Sequence, residues 1–176
     1  PRGRMRASGA AAVDAGSQSM KNRVSARPRA GGRKTRVGRA AAETGTPVLW
    51  DNSQTADSVT YTTQAGSYNR IGKIVVLSGR LAVNSLGTLG TGEGATIGGL
   101  PFNSTSSPAS IAFGGSIGAG ASLAIPAGEA LSLRLGPNSN AILINKWDLA
   151  TGTSQLSVAE YSAGGLIDFT ITYFVN

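Results

Sequence analysis

The chain has 176 residues, 25 of them Gly, with no Cys, no His and only 14% charged side chains. Without thiol or imidazole there is no disulfide framework, no usual zinc ligand set, no thiol nucleophile and no histidine base. No cofactor or metal is therefore expected, an enzyme is the least expected class, and no apolar run approaches the ~20 residues that span a bilayer.

The formal charge of +7 sits at one end. Residues 1–43 hold eleven bases (Arg2, Arg4, Arg6, Lys21, Arg23, Arg27, Arg29, Arg33, Lys34, Arg36 and Arg39) against Asp14 and Glu43, which makes that stretch +9 and leaves residues 44–176 at −2. The stretch has no aromatic residue, no Leu and no Ile. It cannot build a core, so residues 1–45 read as an extended basic arm, disordered on its own. Residues 10–27 have modest helical propensity and are expected to coil into a short helix on a partner, ended by Pro28 and Gly31-Gly32. The start at Pro1 reads as loss of an initiator Met from an otherwise unprocessed intracellular product.

From Thr46 the pattern changes. All ten aromatic residues lie in 46–176, among short β-prone runs broken by Gly, Asn, Ser and Pro. Strands are predicted at Pro47–Trp50, Ser58–Thr62, Gly72–Leu77, Arg80–Asn84, Ser110–Phe113, Ser122–Ile125, Ala130–Leu135, Ala141–Asn145 and Ile167–Val175, and no segment has a helical period. Nine short strands at close spacing predict an all-β sandwich, jelly-roll-like in plan. Ala130–Leu135 and Ile167–Tyr173 alternate strictly, so each has one inward face. Ile74–Leu77 is apolar throughout, as in a central strand or one at a subunit contact. Gly87–Gly94, Asn103–Pro108, Gly114–Gly120 and Gly136–Asn140 are expected as loops. Gly114–Gly120 lacks the Lys-Ser/Thr of a phosphate loop and reads as plain turns. Trp50 and Trp147 are each expected in the core rather than at an interface. Glu93, Glu129, Asp148, Glu160 and Asp168 form no catalytic pair by spacing, and a solvated role suffices for Asp168.

One segment looks familiar. Gly66-Ser67-Tyr68-Asn69-Arg70-Ile71-Gly72-Lys73-Ile74-Val75-Val76-Leu77-Ser78-Gly79-Arg80, followed by Ile97-Gly98-Gly99-Leu100-Pro101-Phe102, resembles a pattern of bacteriophage tail-fibre and tailspike tip domains. The marked positions are Tyr68, Ile71, Gly72, Gly79, Arg80, Gly99, Leu100, Pro101 and Phe102. The resemblance covers roughly residues 60–176 and leaves out the arm. It implies a β-sandwich knob, commonly homotrimeric, of a kind also used in cement or decoration proteins on phage heads. Read without the family, Gly72 and Gly79 bracket a strand where a Cβ would crowd a neighbour or a turn needs positive φ.

Arg23, Arg27, Arg29, Arg33, Lys34, Arg36 and Arg39 admit three readings: a nucleic-acid contact with steep salt dependence, a solvated tail, or docking on an acidic protein surface through Arg–carboxylate pairs. Forty-three extended residues reach at most ~140–155 Å, enough to cross neighbouring subunits, and three tethered arms would act as one anchor. The expected function is a capsid cement protein on the outer phage head, made in the host cytoplasm, with itself and a major capsid or other virion protein as partners and no membrane insertion. The alternatives are a spike tip that binds a host-surface glycan or protein, and a small RNA-virus coat protein whose arm binds nucleic acid.

Overall fold

The computed structural model describes residues 42–54, 58–106, 111–149 and 151–176, all within one compact unit, Gly38–Asn176. The helix expected in 10–27 and the arm bases from Arg23 to Arg39 lie outside the described residues. Among the described residues there are ten strands: β1 (Glu43–Gly45), β2 (Val48–Trp50), β3 (Thr60–Ile71), β4 (Ile74–Ser85), β5 (Thr96–Gly98), β6 (Phe113–Ala121), β7 (Ala130–Leu135), β8 (Ile142–Leu149), β9 (Gly152–Gln155) and β10 (Leu166–Phe174). A single helical turn, α1 (Val158–Tyr161), precedes β10. The strands form one antiparallel sheet in the order β1-β3-β4-β10-β6-β7-β8-β5-β2, with β9 beside β8. The sheet curls so that both halves share one core, and the fold is an all-β sandwich. Val75, Leu77, Leu81, Phe169, Ile171 and Tyr173 from one half meet Leu133, Leu135, Ile142, Ile144, Leu49 and Ile97 from the other.

The alternating strands fold as their pattern dictates. In β10, Ile167, Phe169, Ile171 and Tyr173 are buried while Thr170, Thr172 and Phe174 face outward. In β4, Val75 and Leu77 point inward and Ile74 and Val76 outward. That strand lies between β3 and β10, so its apolar run is that of a central strand.

Several expectations fail. Of the predicted strand Ser110–Phe113 only Phe113 is in a strand, as the first residue of β6; Ile111 and Ala112 are irregular, and Ser110 lies outside the described residues. Ile74–Leu77, the strand part of the predicted Gly72–Leu77, and Arg80–Asn84 belong to one strand, β4, because Gly79 is no turn: it pairs with Phe169 and with Gly66. A Cβ there would lie 2.6 Å from the Phe169 ring, so Gly79 provides space for that ring. Gly114–Gly120 is not a run of turns but most of β6, paired with β10. A Cβ on Gly115 would come within 2.7 Å of the Thr170 carbonyl oxygen, so glycine here permits close strand approach. Ser122–Ile125 is irregular chain, with Ser122 at φ 54°, although Leu123 and Ile125 still pack on the core. The three short strands β1, β5 and β9 and the turn α1 add elements that the hydrophobic pattern did not predict. Ser157 and Glu160 form a reciprocal capping box on α1.

Candidate functional site

The resemblance-bearing residues converge on one knot that joins β3 to the turn after β5. Tyr68 is buried, donates from its hydroxyl to the Glu43 carboxylate, and meets Phe102 edge-on at 5.8 Å between centroids. That hydrogen bond raises the Tyr68 phenol above its ordinary pKa. Arg70 lies 4.8 Å from the Phe102 ring centroid, and its Nε donates to the Gly72 carbonyl at 2.8 Å. Leu100 and Phe102 pack on the core edge as half-buried side chains, and Pro101 between them is half-buried too. Gly72 (φ 61°) makes the β3–β4 turn, with open space where a Cβ would be. Gly99 (φ 78°) needs both the left-handed conformation and room beside the Thr46 carbonyl. The last residues of the stretch read as arm thus form β1, paired through Glu43↔Tyr68. The knot is packing and turn chemistry, and the cavity beside it, lined by Gly45, Gly66, Gly99 and Leu100, holds only about 10 Å³.

Of the marked residues, Ile71 and Arg80 reach the outer face of β3-β4-β10-β6. The register places four rows there. Ile71, Ile74 and Phe174 form the first, and Asn69, Val76 and Thr172 the second. Ser67, Ser78, Thr170 and Ser116 form the third, and Ala65, Arg80, Asp168 and Ala119 the fourth. One end is an exposed apolar cluster, with Ile71 70% accessible, Phe174 48%, and Ile74 and Val76 about 40%. Phe113 packs on Phe174 at 5.8 Å. The middle is a shallow groove of about 510 Å³ walled by small side chains. Isolated exposed apolar residues are ordinary, but a contiguous cluster on a flat sheet is a candidate contact surface.

Arg80 closes the other end of that face. Its Nε and Nη2 each donate to an Asp168 carboxylate oxygen at 2.6 Å, a bidentate pair. Asp168 is therefore not merely solvated. The pair holds its carboxyl below the ordinary value of 3.8. A depressed carboxyl pKa means that the pair contributes stability above about pH 3.8 and loses it as pH falls through the lower folded value. Half-exposed Arg80 keeps the effect small through solvent screening. Melting temperatures from pH 5 down to pH 2 should show wild type slightly above Asp168→Asn at pH 5, with the gap closing at the acid end. A gap independent of pH would rule out this account of the pair.

The acidic residues that look scattered in sequence are brought together around Lys146. Its ammonium lies 2.5 Å from Glu160, 3.4 Å from Asp148 and 3.9 Å from Glu129. The Glu160 hydrogen bond raises the Lys146 pKa. Burial alone would raise the Glu160 carboxyl, but Lys146 and the Ser157 cap outweigh it and lower it. A hydrogen bond from the Ser154 hydroxyl, with Lys146 in support, lowers Asp148. Among the described residues no group of three or more acidic side chains has the geometry to hold a metal ion. Trp147 points the other way from Lys146 and is 59% accessible, so it is not a core residue. Trp50 is half-buried and lies across Gly98, where a Cβ would overlap its ring.

No family model matches the sequence, and neither does any curated protein. The fold is similar to the crystal structure of the Dettilon tailspike protein, with a TM-score of 0.63 at 19% identity over 78% of this chain. The chain spans 24% of that protein's length. At this identity the likeness is one of fold, and it matches the sandwich that the strand pattern predicts.

Proposed function

We propose that the chain is a structural subunit of a bacteriophage particle: a β-sandwich knob held in place by its basic N-terminal segment. The observation that carries this reading is the fold shared with a tailspike protein, together with a charge of +9 confined to residues 1–43. The favoured place is the outer head, where the knob acts as a cement or decoration protein and reinforces the capsid. The arm runs over a major capsid protein, and acidic protein rather than nucleic acid is its partner. The apolar end of the β3-β4-β10-β6 face supports self-association, with a homotrimer as the assembly. No catalytic role is assigned, since Glu129, Asp148 and Glu160 are engaged with Lys146 and Asp168 with Arg80.

A second reading rests on the same likeness: a tail-spike or fibre tip that binds a receptor on the host surface. The two separate on one measurement. In a cryo-EM map of the intact particle, the sandwich should appear as trimeric knobs repeated over the head surface. Density for it only at the tail would replace the first reading with the second, and its absence from the particle would overturn both.

A further inference from the structure

The apolar end of the β3-β4-β10-β6 face leaves one large apolar side chain unaccounted for. Six are exposed among the described residues: Ile71, Ile74, Val76, Ile111, Trp147 and Phe174. Ile71, Ile74, Val76 and Phe174 make up that end, and Ile111 lies two residues before Phe113, which packs on Phe174. Trp147 alone stands apart, on β8 in the other half of the sheet.

Trp147 borders a hole rather than a flat face. Ala112, Phe113, Gly114 and Leu133 line a groove of about 290 Å³ beside it, with Thr153 of β9 in the wall. Exposed Ala130 lies opposite the indole on β7. Gly114 and Gly152 have open space where a Cβ would be, which leaves room for an inserted side chain. The matching projection is at the apolar end. Ile71 closes β3 beside the β3–β4 turn and is the most exposed of the six. Nothing lies within 4 Å of a Cβ built on Gly72 next to it, so this tip stands clear of its own chain. An exposed aromatic beside an apolar groove, and a protruding aliphatic elsewhere on the same body, are the two halves of an anchor-and-pocket contact.

Symmetry decides what such a pair is for. In a cyclic assembly a copy meets its neighbour through two different surfaces, and only side chains on the axis meet their own counterparts. The apolar end supplies one surface for the trimer proposed above and leaves the second unnamed. We propose that copies of this chain join head to tail: the β3–β4 tip of one, led by Ile71, inserts into the Trp147 groove of the next. Both exposed apolar surfaces are then covered by one repeated contact. This inference rests on the trimer reading and adds to it the residues that meet.

The test uses the full chain, which has no native Cys. In analytical ultracentrifugation wild type should sediment as a trimer. Trp147→Ala and Ile71→Ser should each move the midpoint of assembly to at least about tenfold higher concentration, the effect of losing one anchor. Both variants should keep the wild-type far-UV circular dichroism, because both side chains are exposed. Lys73→Cys places a thiol at the tip and Thr153→Cys one in the groove wall. Mixed while dilute, concentrated and treated with a short bis-maleimide, these two proteins should give cross-linked dimers, and each alone should give none. Cross-linking of Lys73→Cys alone means that tips meet tips and overturns the proposal. A mixture that gives no cross-link overturns it too, as does a trimer that folded Trp147→Ala leaves unaltered. In those cases the trimer itself stands. A wild-type chain that stays monomeric instead removes the trimer reading, and this contact falls with it.

Discussion

Tyr161→Ala should cost the body about 3–5 kcal/mol, as for truncation of other fully buried aromatics, and Tyr161→Phe only about 1 kcal/mol. Tyr161 is wholly inaccessible and heads the largest fully buried side chains. Its hydroxyl donates to the Leu81 carbonyl at 3.0 Å, so one residue ties α1 to the central strand β4. Burial pushes its phenol well above the ordinary value, which keeps it neutral and able to donate. The Ala variant loses the ring and leaves a cavity. The Phe variant keeps the volume and loses one net hydrogen bond. Against a total stability of about 5–15 kcal/mol for a domain, the first change removes a large share. Urea denaturation of both variants, with unchanged m-values, would check it. Equal losses would mean that the hydrogen bond, not the ring's volume, holds α1 in place.

Neither the depth of Tyr161 nor its partner is visible in sequence. The residue follows Ser157-Val158-Ala159-Glu160 in a run without helical period, and its partner is 80 residues away. The same limit hid the Arg80–Asp168 pair, which is separated by 88 residues. Such pairs depend on strand register, and register across a sheet is set by the whole fold. What sequence carries well is alternation: β7 has the predicted bounds, and β10 lies within a residue of its prediction because its inward face is uniformly large and apolar. Glycine carries the least. It marks a turn at Gly72, space for a ring at Gly79 and close strand approach at Gly115, and one letter serves all three. Trp147 was misplaced because ring size favours burial on average, while its neighbours on β8 alternate Ile142 and Ile144 inward, leaving Trp147 on the opposite side.

Deletion of residues 1–41 should leave the body as stable as in the intact chain and lower its apparent affinity for the particle at least about 100-fold. The stability half follows from the packing: every described strand, including β1, lies beyond residue 41. The affinity half follows from charge. Seven bases lie between Arg23 and Arg39, and exposed ion pairs are each worth about 0.2–1 kcal/mol. One arm thus supplies only weak binding. On the proposed trimer, three arms would turn it into a firm anchor, since linked sites gain about 10²–10⁴ in avidity. The truncated body, with five bases against eight acids, is −3 and has no comparable means of holding an acidic surface. Arg33→Gln, Lys34→Gln and Arg36→Gln together should fall between the two extremes and flatten the salt dependence of binding. Nuclease treatment should leave attachment intact if the partner is protein and release the chain if it is nucleic acid. If the truncated body decorates particles as densely as the intact chain, attachment belongs to the sandwich itself, and the exposed row of Ile71, Ile74 and Phe174 becomes the surface through which it would have to act.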